Sequence, residues 1–203
     1  MNSKQSIITT AKHTIETEGE AILNLSHLVS DDFAASVELI YQSKGRVIIT
    51  GIGKSAIIAT KIVATLNSTG TPAIFLHPSE SQHGDLGMVQ ENDILLLISN
   101  SGKTREIIEL EHLVKRIYPE IKIIGLTGNP EGELANFSDV TLLTGNPKEI
   151  CPLGLAPTTS TTVMTVVGDV LVVLMEEKIG FTKEQYALRH HSGYLGSKAR
   201  GNE

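Results

Sequence analysis

Apolar residues recur at helical spacing over positions 6–43, through Ile8, Ala11 and Ile15, then Ala21, Leu25, Leu28 and Val29, then Phe33, Val37 and Ile40. Ser30-Asp31-Asp32 interrupts this run with capping residues, which predicts two helices rather than one. After Gly45 the period changes. Arg46-Val47-Ile48-Ile49-Thr50 is a β-branched run ending in Gly51-Ile52-Gly53, and helical spacing returns over 55–66. The unit of strand, turn and helix then recurs, with strands predicted over 73–76, 93–99, 121–126 and 140–142. A helix is predicted over 104–117, and a long, nearly uncharged one over 159–179.

Strands alternating with helices of this length imply a mostly parallel sheet, because a parallel crossover needs a helix between strands. Ile94-Leu95-Leu96-Leu97-Ile98 has no polar alternation, as expected where both faces of a sheet are covered. The fold class is therefore α/β, a three-layer α/β/α sandwich. Ligands of such sheets bind beyond the carboxyl ends of the strands, which selects positions 51–55, 77–87, 99–106, 127–130 and 145–157 for chemistry. No repeat, low-complexity tract or linker divides the chain, so 1–203 is expected to be a single domain: amino-terminal helices over 1–44, sheet and site over 45–196, and a tail over 197–203.

Composition narrows the function classes. Hydrophobic residues make up 40% of the chain, and 17 Lys+Arg stand against 23 Asp+Glu for a net charge of −6 without long runs, which argues against a nucleic-acid-binding surface. Cys151 is the single cysteine and cannot form an internal disulfide, and Met1-Asn2-Ser3-Lys4-Gln5 lacks the apolar stretch of a signal peptide, so a cytoplasmic location is expected. Apolar runs such as 94–98 are of strand length, short of the roughly 20 residues that cross a bilayer, and no membrane segment is expected.

The turn Gly51-Ile52-Gly53-Lys54-Ser55 invites two nucleotide readings. A phosphate loop of the triphosphatase type needs a glycine where this chain has Ile48, inside the strand. A dinucleotide fingerprint fits Gly51, Gly53 and Ala56, but the second strand leads into His77-Pro78, where an acidic partner for ribose hydroxyls belongs. Tight turns explain the glycines by themselves. They do not explain Lys54, a cation at a helix start, where the dipole disfavours it unless an anion is bound. The second such turn, Ser99-Asn100-Ser101-Gly102-Lys103-Thr104, brings the hydroxyls of Ser99, Ser101 and Thr104 to another helix start. Alone these residues read equally as helix caps. Beside the turn at Gly53, Lys54 and Ser55 they read as a cradle for a phosphate monoester.

Gly-Ile-Gly-Lys-Ser at 51–55, His-Pro-Ser-Glu-Ser-Gln-His-Gly-Asp-Leu-Gly at 77–87, Ser-Asn-Ser-Gly at 99–102 and Glu-Ile-Cys-Pro-Leu-Gly-Leu-Ala-Pro-Thr-Thr-Ser at 149–160 resemble the sugar isomerase (SIS) family, and within it the D-arabinose-5-phosphate isomerase branch. The resemblance covers almost the whole chain. It implies a five-stranded parallel sheet and a homotetramer with shared active sites. It also implies interconversion of D-arabinose 5-phosphate and D-ribulose 5-phosphate, supplying 3-deoxy-D-manno-octulosonate (Kdo) for lipopolysaccharide or capsule. Many members continue into a pair of cystathionine-β-synthase (CBS) domains, and a stand-alone module is the expectation for 203 residues.

An aldose–ketose isomerase that works through an enediol needs a carboxylate base and an acid near the carbonyl oxygen. By resemblance, Lys54, Glu106, Glu149 and His190 are the functional set, with Glu149 as the base and Glu106 positioning substrate or sharing the proton. Lys54 would hold phosphate or enediolate charge, and burial would raise one carboxylate's pKa. His83 matches the family's site histidine thought to assist ring opening. Near the carboxyl end, Leu188-Arg189-His190-His191-Ser192-Gly193 departs from the family's His-Pro-Gly-Gly, with His191 where proline stands, so either His190 or His191 takes the role. Lys103 replaces a usual acidic residue and faces either the anion or solvent. No cofactor and no metal are expected, and Kdo or its nucleotide-activated form is a candidate inhibitor. The competing readings are an isomerase of hexulose or heptose phosphates, a non-catalytic sugar-phosphate sensor and a dinucleotide-dependent oxidoreductase.

Overall fold

The apolar runs become the five strands of one parallel sheet: β1 (Val47–Thr50), β2 (Ala73–Phe75), β3 (Ile94–Ile98), β4 (Lys122–Thr127) and β5 (Val140–Leu143), in the spatial order β2-β1-β3-β4-β5. The computed structural model describes residues 3–201. The helices among them are α1 (Lys4–Asn24), α2 (Asp31–Gln42), α3 (Lys54–Ser68), α4 (Pro78–Ser81), α5 (Arg105–Ile117), α6 (Glu133–Phe137), α7 (Thr159–Ile179), α8 (Lys183–Arg189) and α9 (Gly193–Ala199). Ser30 caps α2 by accepting from the Asp32 amide, so the predicted break between the first two helices is where the sequence puts it.

Why both sheet faces must be apolar is visible in β3. Leu96 and Ile98 join Ile62 and Leu66 of α3, Val37 of α2 and Met164 and Leu171 of α7, while Leu95 and Leu97 join Ile107 and Leu110 of α5 and Leu134 of α6. The three-layer sandwich follows. α7 has the length and apolarity of a membrane span by composition, with mean hydropathy 1.4, yet half of that window is buried within the fold. It is the helix on which α1, α2 and α3 pack. Below the sheet, Asp93 is 3% exposed and accepts from the Arg46 and Gln90 amides at 2.7 and 2.9 Å, tying the starts of β1 and β3 together.

The strand order sets the site. From β1 the chain crosses to β2 on one side and then returns to β3 on the other, so the crevice between the carboxyl ends of β1 and β3 is the topological switch point. The two turns singled out in the sequence leave these two neighbouring strands. α3 and α7, packed against each other on one face of the sheet, meet closely at Gly168, where any Cβ would run into the Ile62 side chain, itself 0% exposed.

Gly168→Val is expected to destabilise the fold by about 1–3 kcal/mol, the usual cost of overpacking a closed core. Urea unfolding measures it, and an unchanged midpoint would contradict the close approach.

Candidate active site

α3 opens on Gly53, which holds φ +61, a left-handed conformation that favours glycine, and the helix has neither a side-chain cap nor an acidic residue in its first turn. Its first residue, Lys54, is exposed, and Ser55 is half-buried with its Oγ 3.8 Å from Met164 Sδ of α7. α5 opens on Thr104, also without a side-chain cap. Two helix starts with unsatisfied amides thus lie side by side at the ends of β1 and β3, each carrying the positive end of a helix dipole.

The loop into α5 is held from within. Ser99 is 3% exposed, and its hydroxyl is 2.7 Å from that of Thr104, so it braces the loop from beneath. Ser101 is exposed and its Oγ accepts from the amide of Lys103, whose side chain lies in solvent. Asn129 Nδ2 donates to the Ser101 carbonyl at 3.0 Å, tying the β4 loop to the same turn. Asn100 Nδ2 donates to Asn146 Oδ1 at 3.4 Å, leaving Asn100 Oδ1 buried without a partner. Asn146 is the single non-glycine residue at positive φ among the described residues, at 48°.

Among the described residues six buried side-chain polar atoms lack a hydrogen-bond partner, and four of these stand just past strand ends: Thr50 Oγ1 at β1, His77 Nδ1 after β2, Asn100 Oδ1 after β3 and Thr144 Oγ1 after β5. Buried polar groups are normally paired, so their gathering at one edge marks where a polar ligand belongs.

Glu149 lies in the loop between β5 and α7. Its Oε2 accepts from the Thr158 amide at 2.7 Å, the Thr158 hydroxyl at 3.1 Å and the Ser160 amide at 3.3 Å, so the carboxylate caps α7. Burial pushes its pKa up, but the hydrogen bonds from Ser160 and Thr158 outweigh burial and hold the carboxyl below its ordinary value. For Glu149 this corrects the expectation that burial raises a carboxylate's pKa. Two residues on, Cys151 Sγ accepts from the Ala156 and Leu155 amides at 3.1 and 3.2 Å.

Glu106 is half-exposed in the first turn of α5, on the face it shares with Glu109. Glu109 accepts from Gln82 Nε2 at 2.7 Å, which draws the His83 loop toward α5. His83 is exposed there, and its amide donates to the Glu80 carbonyl at 2.9 Å. The sheet edge thus brings Gly53, Lys54, Ser55, Ser99, Asn100, Ser101, Thr104, Glu106, His83 and Glu149 to neighbouring loops. His190 and His191 are not among them. His190 stacks on Tyr186 at 3.8 Å between ring centroids, its Nδ1 is 3.0 Å from the Tyr186 carbonyl, and its own carbonyl accepts from Arg200. Sequence reasoning missed Asn146, Thr158 and Ser160. The hydroxyl run after Pro157 was the available signal for the last two.

Residues 39–174 match the SIS domain. The chain belongs to the SIS family. Arabinose 5-phosphate isomerase KdsD of Pseudomonas aeruginosa is 46% identical over 200 residues, which are 98% of this chain and 61% of that protein. The chain thus spans about three-fifths of the length of that curated relative. A Bacteroides fragilis structure named for a phosphosugar isomerase in capsule formation is 52% identical, with TM-score 0.90 over 93% of this chain and 99% of that one. The Escherichia coli CFT073 protein c3406, solved in complex with arabinose 5-phosphate, is 36% identical with TM-score 0.88 over 93% and 100% of the two chains. The five-stranded parallel sheet that the SIS resemblance implied is the sheet observed. Among the described residues no three His, Cys, Asp or Glu side chains are gathered as metal ligands.

Because the Glu149 carboxyl is held below its ordinary value, it stabilises the fold while ionised. That contribution is complete above the ordinary glutamate value of about 4.3 and is lost as pH falls through the lowered one. The difference in Tm between the wild type and Glu149→Gln is therefore expected to shrink between about pH 6 and pH 3. A difference constant with pH would contradict the cap.

Proposed function

We propose that this SIS protein is an aldose–ketose isomerase that interconverts D-arabinose 5-phosphate and D-ribulose 5-phosphate. What supports the reading is that two uncapped helix starts, one of them led by Lys54, and the Glu149 carboxylate, held below its ordinary pKa, all lie in loops that follow the carboxyl ends of the strands of one sheet. The similarity to KdsD and to c3406, solved with arabinose 5-phosphate, supplies the sugar.

The phosphate is held by the first amides of α3 and α5 with the side chains of Ser55, Ser101 and Thr104, on a loop shaped by Ser99 and Asn100. His83 assists ring opening. With the open-chain aldehyde in place, Glu149 removes the proton from C2, and the electron pair of that C–H bond forms the C1–C2 double bond as the carbonyl oxygen takes a proton. Return of a proton to C1 and loss of the O2 proton leave the C2 ketone, so the conversion is neutral overall. A base held ionised is ready to accept, and its low pKa makes its conjugate acid an effective donor to C1. Lys54 balances enediolate or phosphate charge, and Glu106 positions the hydroxyls or shares the proton.

We further propose a homo-oligomer, a tetramer with shared sites, in which either His190 or His191 reaches a neighbouring copy's site. Supporting this, α1 buries none of its residues, and Ile15, Leu23, Leu153 and Leu155 are 73–81% exposed. We propose a cytoplasmic location and a role in Kdo supply for lipopolysaccharide or capsule. Kdo or its nucleotide-activated form would compete at the same donors, and activity indifferent to both would remove that idea.

Incubation with pentose, hexose and heptose phosphates in deuterated water, followed by NMR, is expected to show interconversion of the arabinose and ribulose 5-phosphates with deuterium entering at C1 of the ketose and, on reversal, at C2 of the aldose. Glu149→Gln is expected to lower turnover by about 10²–10⁴-fold, the range for loss of a general base. Near-wild-type exchange in that variant would contradict the base assignment, and turnover of hexose or heptose phosphates alone would contradict the substrate. Full specific activity in a verified monomer would contradict shared sites.

A further inference from the structure

The start of α7 donates hydrogen bonds to two carboxylates, and only one of them belongs to the site described above. Glu149 occupies the amides of Thr158 and Ser160. The other is Glu18, in the middle of α1, whose Oε2 accepts from the Thr162 hydroxyl at 2.6 Å and whose Oε1 is 3.5 Å from the Thr159 hydroxyl. Thr159 is 1% exposed, and its Oγ1 accepts in turn from the amide of Ile150, the residue that follows Glu149. At Thr159 the donor count closes: Ile150 gives its amide proton to Thr159, and the single hydroxyl proton of Thr159 is free for Glu18, while the Thr162 hydroxyl has Glu18 at 2.6 Å and the Thr158 carbonyl at 3.2 Å within reach and favours the shorter contact.

Glu18 is half-buried, on a helix whose Ile8, Ile15 and Leu23 remain exposed. α1 therefore turns a carboxylate toward α7 and leaves these apolar residues outward, which burial alone does not favour. A helix start without an acidic residue of its own favours such a group from elsewhere. The hydrogen bonds at 149–150 thus have two anchors, the helix amides on Glu149 itself and the Thr159 hydroxyl on Ile150, and Glu18 bears on the second.

We propose that Glu18 is a positioning residue for Glu149: through Thr159 and Thr162 it sets where the Glu149 carboxylate sits relative to the substrate carbon, touching no substrate itself. This rests on the reading of Glu149 as the base. A displacement of about 1 Å at a reacting group costs up to about 10²-fold in rate while leaving phosphate binding intact, so the effect belongs in kcat.

The test compares the wild type, Glu18→Leu, Glu18→Gln, Thr159→Val and the Glu18→Leu/Thr159→Val double variant, with D-arabinose 5-phosphate as substrate and folding checked by circular dichroism. Glu18→Leu is expected to lower kcat about tenfold or more with KM within about threefold, and Glu18→Gln, which still accepts from Thr162, to recover a third or more of the loss. The double variant is expected to be no slower than the worse single variant, because both break one chain of hydrogen bonds. Multiplying losses, a loss confined to KM, or an unchanged kcat in Glu18→Leu would each overturn the proposal. If the wild type turns over none of the substrate, the isomerase reading fails by itself, and the anchor is then read from hydrogen exchange. The Ile150, Thr158 and Ser160 amides are expected to exchange about tenfold faster or more in Glu18→Leu, and unchanged exchange would overturn it.

Discussion

A helix that buries Val163, Met164, Val167, Leu171 and Met175 in the core cannot shift its first turn to find water, so its leading amides need acceptors brought to them. α7 receives them from Glu149. The same hydrogen bonds that complete the helix hold the carboxylate ionised against the effect of burial, so one contact serves folding and keeps ready the carboxylate proposed as the base. Site and core are therefore not separable here. Moving Glu149 uncaps the longest helix packed on the sheet, and loosening α7 moves Glu149.

At the two helices that follow β1 and β3 the logic is reversed. α3 and α5 have no side chain on their first amides, and the strand order 2-1-3-4-5 sets those two starts next to each other. In the proposed reading a capped helix holds the proton-transfer group, and uncapped helices offer their amides to an anion. An acidic chain of net charge −6 can bind an anionic sugar in this way, because the donors are backbone groups fixed by the fold and one lysine rather than a basic surface.

Much of this was legible in the sequence because it is written locally. β3 reads as a strand covered on both faces from Ile94 to Ile98 alone, and the turns at Gly51–Ser55 and Ser99–Thr104 carry their chemistry in adjacent residues. The helices α4, α6, α8 and α9 were not read, since four to seven residues give too little periodicity. The direction of the Glu149 shift was not legible because it depends on partners nine and eleven residues away, whose donation outweighs a burial that sequence does not show. Glu18 was invisible for a related reason: it sits within the apolar stripe of α1, three residues after Ile15 and three before Ala21, and its partners Thr159 and Thr162 lie more than 140 residues along the chain. His190 keeps to its own hairpin within one chain, and no local pattern reveals that.

The proposed chemistry requires that the carboxyl edge of the sheet, and not its amino edge, binds the sugar phosphate. The amino edge also offers a cavity of about 350 Å³, lined by Lys44, Asn92 and Lys122 among others. Titration of isotopically labelled protein with D-arabinose 5-phosphate, read by amide NMR shifts, decides between them. The account predicts saturable shifts at Gly53, Lys54, Ser55 and the Ser101–Arg105 amides, with Lys44, Asn92 and Lys122 unmoved. Shifts confined to the amino edge, or none at the starts of α3 and α5, would contradict it.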